Sequence, residues 1–176
     1  MRVEDDLLVV RCQLGEREAF EELIARWHEP LWMYVRRLTA SDDTAADVVQ
    51  ETWLRVVRAI ARLREPGSLR AWLFGIARRA VMDRLRVRYR EPTVPLDDVD
   101  VAADVVADEL DLQALHAELE ALPLLEREVL VLFYLRELTL QELSEILEAP
   151  LGTIKSRLFR ARNTLRRQLE AKGWTR

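Results

Sequence analysis

The sequence predicts an all-α protein made of two small helical domains joined by an acidic flexible linker. The 176 residues include only five glycines and six prolines, and leucine, alanine, arginine and glutamate, which favour helices, are frequent. Apolar residues recur every three or four positions over most of the chain, which is the period of one helix face. Because 49% of the residues are hydrophobic, the chain can bury packed cores.

The N-terminal domain is expected to contain three amphipathic helices. The first covers residues 17–38 and contains Pro30, where we expect a kink or a break. The second starts after Ser41 or Asp42, either of which can cap it, and the sequence REPGS ends it. Ser68 can cap the third. The expected buried positions are Phe20, Leu23, Ile24, Trp27, Leu31 and Val35, then Val49, Trp53, Val56, Val57 and Ile60, then Trp72, Leu73, Ile76, Ala77, Ala80 and Leu85.

An acidic segment separates the two domains. From Glu91 to Asp111 there are eight acidic residues, two prolines and no basic residue, a composition typical of an extended or mobile linker. We therefore place the N-terminal domain at residues 1–90, the linker at 91–111 and the C-terminal domain at 112–176.

The C-terminal domain is expected to contain a helix-turn-helix, preceded by two helices on either side of Pro123. Thr139 and Glu142 have the spacing of a capping box, so we predict a short helix from Thr139 to about Leu147. The sequence EAP forms a turn, and a basic helix follows from about Gly152, which is the outline of a DNA-recognition helix. Its apolar stripe comprises Ile154, Leu158, Ala161 and Leu165.

Charge is unevenly distributed. The net charge is -4, yet residues 70–90 carry seven bases against one acid, and residues 155–176 carry eight bases against one acid. Two basic surfaces favour an anionic partner such as nucleic acid. The alternative for the segment TIKSRLFRAR is a solvated basic helix at the edge of a bundle.

The sequence argues against several other classes of protein. Cys12 is the only cysteine, and His28 and His116 are far apart, so we expect no disulfide, metal site, catalytic centre or cofactor. The longest apolar run is too short to span a bilayer, and the N-terminus is acidic where a signal peptide would be basic. We expect a cytoplasmic protein that is not an enzyme.

Two separate segments resemble the extracytoplasmic-function (ECF, group 4) sigma factors of the bacterial sigma-70 family. DVVQETWLRVVRAIARL with SLRAWLFGIARRAVMDRLR is similar to sigma region 2, and LPLLEREVLVLFYLRELTLQELSEILEAPLGTIKSRLFRARNTLRRQL is similar to region 4. They lie in the family's order and cover most of residues 16–170. The resemblance implies a factor that binds core RNA polymerase and directs promoter-specific initiation at -10 and -35 elements, under control of an anti-sigma factor.

The resemblance also implies which residues act. The largest-subunit clamp helices would be bound by Asp47, Gln50, Glu51, Trp53 and Leu54, whose acids are otherwise simply solvated. The -10 element would be recognised, and an unstacked base trapped, by Ser68, Phe74, Arg78, Arg79, Asp83 and Arg86, with Trp72 in the core. The -35 element would be read by Thr153, Lys155, Ser156, Arg157, Phe159, Arg160 and Arg162.

Further expectations follow from the same resemblance. Region 4 would also contact the flap of the second-largest polymerase subunit, and the free protein would be a monomer that does not insert into membranes. The acidic linker would thread through the polymerase cleft, or else simply keep the two domains apart.

Three positions depart from the family pattern. Arg79 stands where the family usually has Asn, and Ser144 and Glu148 stand where Ala and Gly are common. A Gly in the turn takes positive φ freely, whereas Glu148 would be strained by about 1 kcal/mol or would force a different turn. A conventional helix-turn-helix regulator and a helical adaptor are the rival interpretations, and neither requires the region-2 motif.

Overall fold

The structure, a computed structural model, describes residues 2–90 and 115–174, and every regular element in these ranges is helical. The predicted all-α fold of two helical domains is confirmed, while the predicted linker at 91–111 lies outside the described residues. The N-terminal domain contains α1 (Arg2–Gln13), α2 (Arg17–Arg36), α3 (Asp42–Ala59) and α4 (Leu69–Arg90), with 3-10 turns at Ile60–Arg62 and Pro66–Ser68. The C-terminal domain contains α5 (115–120), α6 (Leu124–Leu130) with a π-helical turn at Val131–Leu135, α7 (Leu140–Ile146) and α8 (Leu151–Ala171).

Helix α1 is the one element of the N-terminal domain that the sequence analysis does not predict. It buries Leu8, Val9 and Cys12 in the domain core. The Gln13 amide at its end donates to the carbonyl of Leu63 at 2.8 Å, and so ties α1 to the turn after α3.

Helix α2 continues through Pro30, so a break at that position is wrong. A proline removes one backbone donor from a helix. Here Trp27 before it and Leu31 and Val35 after it are all buried, and their packing holds both halves of the helix against the core. Ile24, which we expect on the same face, is 38% exposed.

Helix α3 begins as predicted. Ser41 is its N-cap, and the Ser41 hydroxyl oxygen accepts a hydrogen bond from the backbone N–H of Thr44 at 3.2 Å. Val49 and Val56 are buried, but Val57 is 53% exposed. The prediction for Val57 is wrong because one residue turns the helix by about 100°, which places Val57 beyond the edge of the stripe.

Helix α4 supplies the aromatic centre of the N-terminal core. Phe74 is fully buried, and its ring meets those of Tyr34 and Trp27 edge-on, with centroids 5.3 and 6.5 Å apart. The expectation that Phe74 faces a DNA strand is therefore wrong in this arrangement. Helices α2, α3 and α7 all contact α4, so more than one of its faces is covered. Trp72 is half-buried against the core, close to its predicted place.

The helix-turn-helix agrees with the sequence in detail. Thr139 and Glu142 form both hydrogen bonds of the predicted capping box, at 3.2 and 2.8 Å. Ile154 and Leu158 of α8 are buried, and they fix the rotation of the helix.

The turn between α7 and α8 contains a strained residue. Glu148 has a φ of 50°, the left-handed conformation that glycine adopts freely. The Ser144 hydroxyl donates to the carbonyl of Ala149 at 2.7 Å and so closes the turn. The positive φ that we expect at this turn is confirmed at Glu148.

Candidate nucleic-acid interface

One face of α8 projects cations and an aromatic ring into solvent. Lys155, Ser156 and Arg160 are exposed, and Phe159 is 65% exposed, on the side opposite the buried stripe. The Ser156 hydroxyl donates to the carbonyl of Thr153 at 2.9 Å, so its oxygen remains available as an acceptor. This face can offer positive charge to phosphates and a ring to a thymine methyl.

Two of the predicted -35 residues lie at the margins of this face. Arg157 is half-buried on the side of the N-terminal domain, where its charge acts on Glu128. Arg162 lies over the rings of Phe133 and Tyr134, 5.5 and 5.3 Å from their centroids. The Arg162 guanidinium thus already has an aromatic partner within the protein.

Some of the predicted -10 residues are exposed, and others already form hydrogen bonds within the protein. Arg79 and Arg86 are exposed, whereas Asp83 accepts hydrogen bonds from Arg55 at 2.9 Å and from Arg86 at 3.2 Å. Ser68 is half-buried, and its hydroxyl donates to the carbonyl of Glu65. The exposed cations of α4 therefore begin at Arg79.

The predicted polymerase-binding residues share one outer face of α3. Asp47 and Gln50 are exposed, and Leu54 is 46% exposed. Val57 continues the row by one further turn, so it belongs to this surface and was missed by the sequence analysis. Its i, i+3 spacing from Leu54 is the signal that could have found it.

Glu51 and Trp53 lie beside that row. Glu51 accepts from Arg55 at 2.8 Å. Trp53 is half-buried, and its indole N–H donates to His28 Nδ1 at 3.3 Å. Both contacts orient side chains at the edge of the α3 face.

A buried carboxylate joins the two domains. Glu128 of α6 has no exposed area, and its Oε1 accepts from the Tyr34 hydroxyl at 2.8 Å and from Arg78 Nε at 3.0 Å. Burial raises the pKa of Glu128, against the opposing effects of Arg78 and Tyr34. Burial also raises the pKa of Tyr34, and the neighbouring carboxylate adds to this shift. The sequence gives no sign of this contact, because Glu128 follows the charged residues Glu126 and Arg127 in α6 and spacing does not distinguish it from them.

Three further contacts cross between the domains. Arg37 Nη2 lies 2.6 Å from His116 Nε2, and Arg127 donates to the carbonyl of Arg37 at 3.1 Å. Arg79 lies 3.5 Å from Glu148. The contacts between the domains named here are thus made by polar and charged groups.

An apolar groove of about 590 Å³ runs along the C-terminal domain between α5, α6 and α8. Its walls include Leu119, Tyr134, Leu165 and Trp174, and Arg166 stands at its rim.

Comparison with known families assigns both halves of the chain. Residues 23–91 match the family described as sigma-70 region 2, and residues 112–165 match the family described as sigma-70, region 4. The ECF RNA polymerase sigma factor SigM of Mycobacterium tuberculosis is 32% identical over 155 residues, which cover 88% of this chain and 79% of SigM. The chain belongs to the ECF RNA polymerase sigma factors.

Other relatives of this sigma factor extend over nearly all of it. The ECF sigma-E factor of Escherichia coli is 31% identical over 179 residues, with 92% of each chain covered. The structure of CnrH in complex with the cytosolic domain of CnrY has a TM-score of 0.74 and 27% identity, covering 95% of this chain and 97% of that one. RpoE in complex with the anti-sigma factor NepR from Bartonella quintana has a TM-score of 0.70 and 26% identity, covering 86% and 96%.

The family match places the surfaces described above within this sigma factor. The α3 face and the cations of α4 lie in region 2, while Glu128, the apolar groove and most of α8 lie in region 4. None of the helices in the described ranges is long and apolar enough to cross a membrane. Within the same ranges, no cluster of His, Cys, Asp and Glu could hold a metal ion.

Proposed function

We propose that this sigma factor docks on core polymerase through α3 and reads promoter DNA through α4 and α8. The observation that carries the proposal is the exposed row of Lys155, Phe159 and Arg160 on α8, held outward by the buried stripe on its other side. We assign residues 1–90 to region 2, 91–111 to the linker and 112–176 to region 4. Bond formation would belong to the polymerase, so the chain itself would have no catalytic site, and it would act in the cytoplasm.

The -35 element would be read in the major groove by the first turns of α8. Lys155 and Arg160 would hold phosphates or guanine edges, and Phe159 would contact a thymine methyl. Thr153, Ser156, Arg157 and Arg162 would support this surface. Since Arg162 already lies over two aromatic rings and Arg157 is half-buried, their part would be smaller.

The -10 element would be bound by α4. Arg79 and Arg86 would hold phosphates of the melted strand, with Ser68 at the start of the surface and Asp83 orienting Arg86. Arg78 would join them after leaving Glu128. Phe74 is not assigned to this surface, because its ring is fully buried and cannot reach a DNA strand.

Core polymerase would meet the α3 face of Asp47, Gln50, Leu54 and Val57. Exposed acid and amide groups next to an apolar strip would suit a basic helical partner, which is the kind of surface that the clamp helices would offer. Glu51 and Trp53 would border it. The apolar groove of region 4 would receive the flap of the second-largest subunit.

An anti-sigma factor would compete for these surfaces. Two structural relatives of this chain were solved in complexes, RpoE with the anti-sigma factor NepR and CnrH with the cytosolic domain of CnrY. We extend a partner of this kind to the present chain because its α3 face exposes the apolar side chains of Leu54 and Val57 and its groove is lined mainly by apolar residues.

The first experiment separates core binding from other surface effects. Leu54→Glu should lower retention of the chain on immobilised core polymerase about tenfold or more, because it places a charge in an apolar contact. Leu14→Glu is the matched control, since Leu14 is 74% exposed in the turn after α1 and is not part of the α3 face. Equal loss for both variants would contradict the docking surface.

The second experiment tests the -35 surface. Arg160→Ala should reduce run-off transcription from a -35-dependent promoter roughly tenfold and leave core retention unchanged, in line with the loss of one specific DNA contact. Arg17→Ala removes the same charge from an exposed position on α2 and should change neither. Promoter binding by the chain without core would instead favour a conventional regulator.

A further inference from the structure

The cations of α4 have carboxylate partners in the other domain. Arg78, with a side chain only 17% exposed, donates to Glu128, and Arg79 pairs with Glu148. In both pairs a guanidinium of region 2 holds a carboxylate of region 4. Carboxylates and phosphates are bound by arginine in the same planar, charged geometry.

The pair of Arg79 and Glu148 is formed by two residues that are uncommon at their positions in the family. Arg79 and Glu148 are two of the three positions at which this chain departs from the pattern expected for its family, and they meet at 3.5 Å. Glu148 also accepts a strained φ of 50° at this position. A side chain kept in the left-handed region despite its strain calls for a role, and pairing with Arg79 supplies one.

We propose that the free chain closes on itself, with Glu128 and Glu148 occupying the arginines of α4 in place of DNA phosphates. Region 4 is then an internal competitor for the -10 surface of region 2. The inference rests on the proposed function for the DNA-binding role of Arg78 and Arg79, whereas the closed form itself rests on the contacts alone. Opening the chain would release both arginines.

The closed form is built to be reversible. Glu128 Oε2 is buried and has no hydrogen-bond partner among the residues that the structure describes. A buried carboxylate with one unsatisfied oxygen is held less firmly than a fully bonded one. Arg79 and Glu148 are 55% and 66% exposed, so water already reaches that pair. Polar contacts of this kind can exchange for solvent or for phosphate.

The closed form can be tested on the free full chain by small-angle X-ray scattering at low salt. A compact chain of this length has a radius of gyration of about 16 Å. Glu128→Lys sets a cation against Arg78 and the nearby Arg157, so we expect a clear increase in that radius. Glu21→Gln removes an exposed ion pair within α2 and should leave the radius unchanged. Circular dichroism should show the same helix content in all variants.

A second variant avoids the buried site. Glu148→Arg creates a like-charge contact with Arg79 on the surface and should also enlarge the chain, although less. The double exchange of Arg79→Glu with Glu148→Arg restores opposite charges and should restore the compact radius. If Glu148→Arg keeps the wild-type radius, the closed form is wrong, whether or not Glu128→Lys folds.

The link to function has a separate readout. If only the open form binds core polymerase, apparent affinity falls by the fraction of open chain, so Glu128→Lys should bind core more tightly, on the order of tenfold if the chain is about 90% closed. An enlarged chain with unchanged core affinity would refute the coupling. An enlarged chain that binds no core at all would refute the proposed function while leaving the closed form in place.

Discussion

The core of the N-terminal domain and the Glu128 contact between the two domains are built from opposite kinds of side chain. In the core, Leu23, Leu73 and Phe74 are fully buried and contact other apolar groups. At the interface, Glu128 is equally buried, but it contacts the hydroxyl of Tyr34 and the guanidinium of Arg78. Phe74 and Glu128 are equally buried, but Phe74 contacts apolar groups, whereas Glu128 contacts polar and charged groups.

The difference separates a permanent contact from an exchangeable one. Apolar burial stabilises by removing area from water, by about 25 cal/mol for each Å², and no partner in solution replaces it. A carboxylate–guanidinium contact can be replaced by a phosphate. The domain core should therefore persist through every functional state, while the interface changes.

The largest expected effect breaks the core. Phe74→Ala should lower the free energy of unfolding by about 3–5 kcal/mol, through lost burial and a cavity beside Tyr34 and Trp27. Urea denaturation followed by circular dichroism measures it. Phe159→Ala removes the same ring from an exposed site and should change stability by less than about 0.5 kcal/mol while impairing -35-dependent transcription. Equal stability loss for both would contradict the burial of Phe74 in the core.

The next effect breaks the interface and spares the core. Tyr34→Phe removes the hydroxyl that donates to Glu128 and keeps the ring that packs on Phe74. We expect the closed form to weaken by about 1 kcal/mol, the net value of one such hydrogen bond. Scattering as a function of salt should show opening at lower salt than in the wild type. A loss of helix content would show instead that the hydroxyl supports the core.

A smaller effect distinguishes the two roles of Glu148, as a strained turn residue and as the partner of Arg79. Glu148→Gly should stabilise the C-terminal domain by about 0.5–1 kcal/mol, because glycine is unstrained at positive φ, and should weaken closure by losing the pair with Arg79. Glu145→Gly lies within α7 and should instead destabilise by about 1 kcal/mol. Thermal unfolding and scattering together give the two signs. A lower melting temperature for Glu148→Gly would contradict the strain.

The smallest effect is a pH dependence of the interface. Arg37 can only donate, so His116 Nε2 must accept and the ring must be neutral in the closed form. Burial, and after it the charge of Arg37, lowers the pKa of His116, while Glu120 opposes the shift. The contribution of His116 to closure is therefore complete above its ordinary pKa of about 6.5, and is lost as the pH falls from there through the lowered value.

Glu128 acts in the opposite direction, since its raised pKa favours proton uptake on closing. Comparison of the wild type with His116→Gln isolates the contribution of His116 to the pH dependence of closure. Scattering should show that acidification from about pH 7.5 to about pH 5.5 opens the wild type more than the variant. Identical pH profiles would remove His116 from the interface.

Local rules predict local structure here and fail where a helix is covered on several sides. The Ser41 cap, the capping box at Thr139 and the stripe through Ile154 follow from spacing alone, because each involves neighbours in sequence. Helix α4 has apolar residues around much of its circumference, and no period distinguishes Trp72 from Phe74. The Glu128 contact joins residues 94 and 50 positions apart, so no pattern within one segment reveals it.

The contact between Glu128 and Arg78 can also be described by the effective concentration of one group at the other. Both groups belong to one chain, and tethered sites meet at an effective concentration that reaches the millimolar range. A free DNA strand at nanomolar or micromolar concentration competes poorly against a neighbour of that kind. In the proposed closed form, core polymerase would remove the competitor without touching Arg78. By holding the two domains apart, it would dilute Glu128 away from the arginine and leave that site to the DNA that the enzyme brings close.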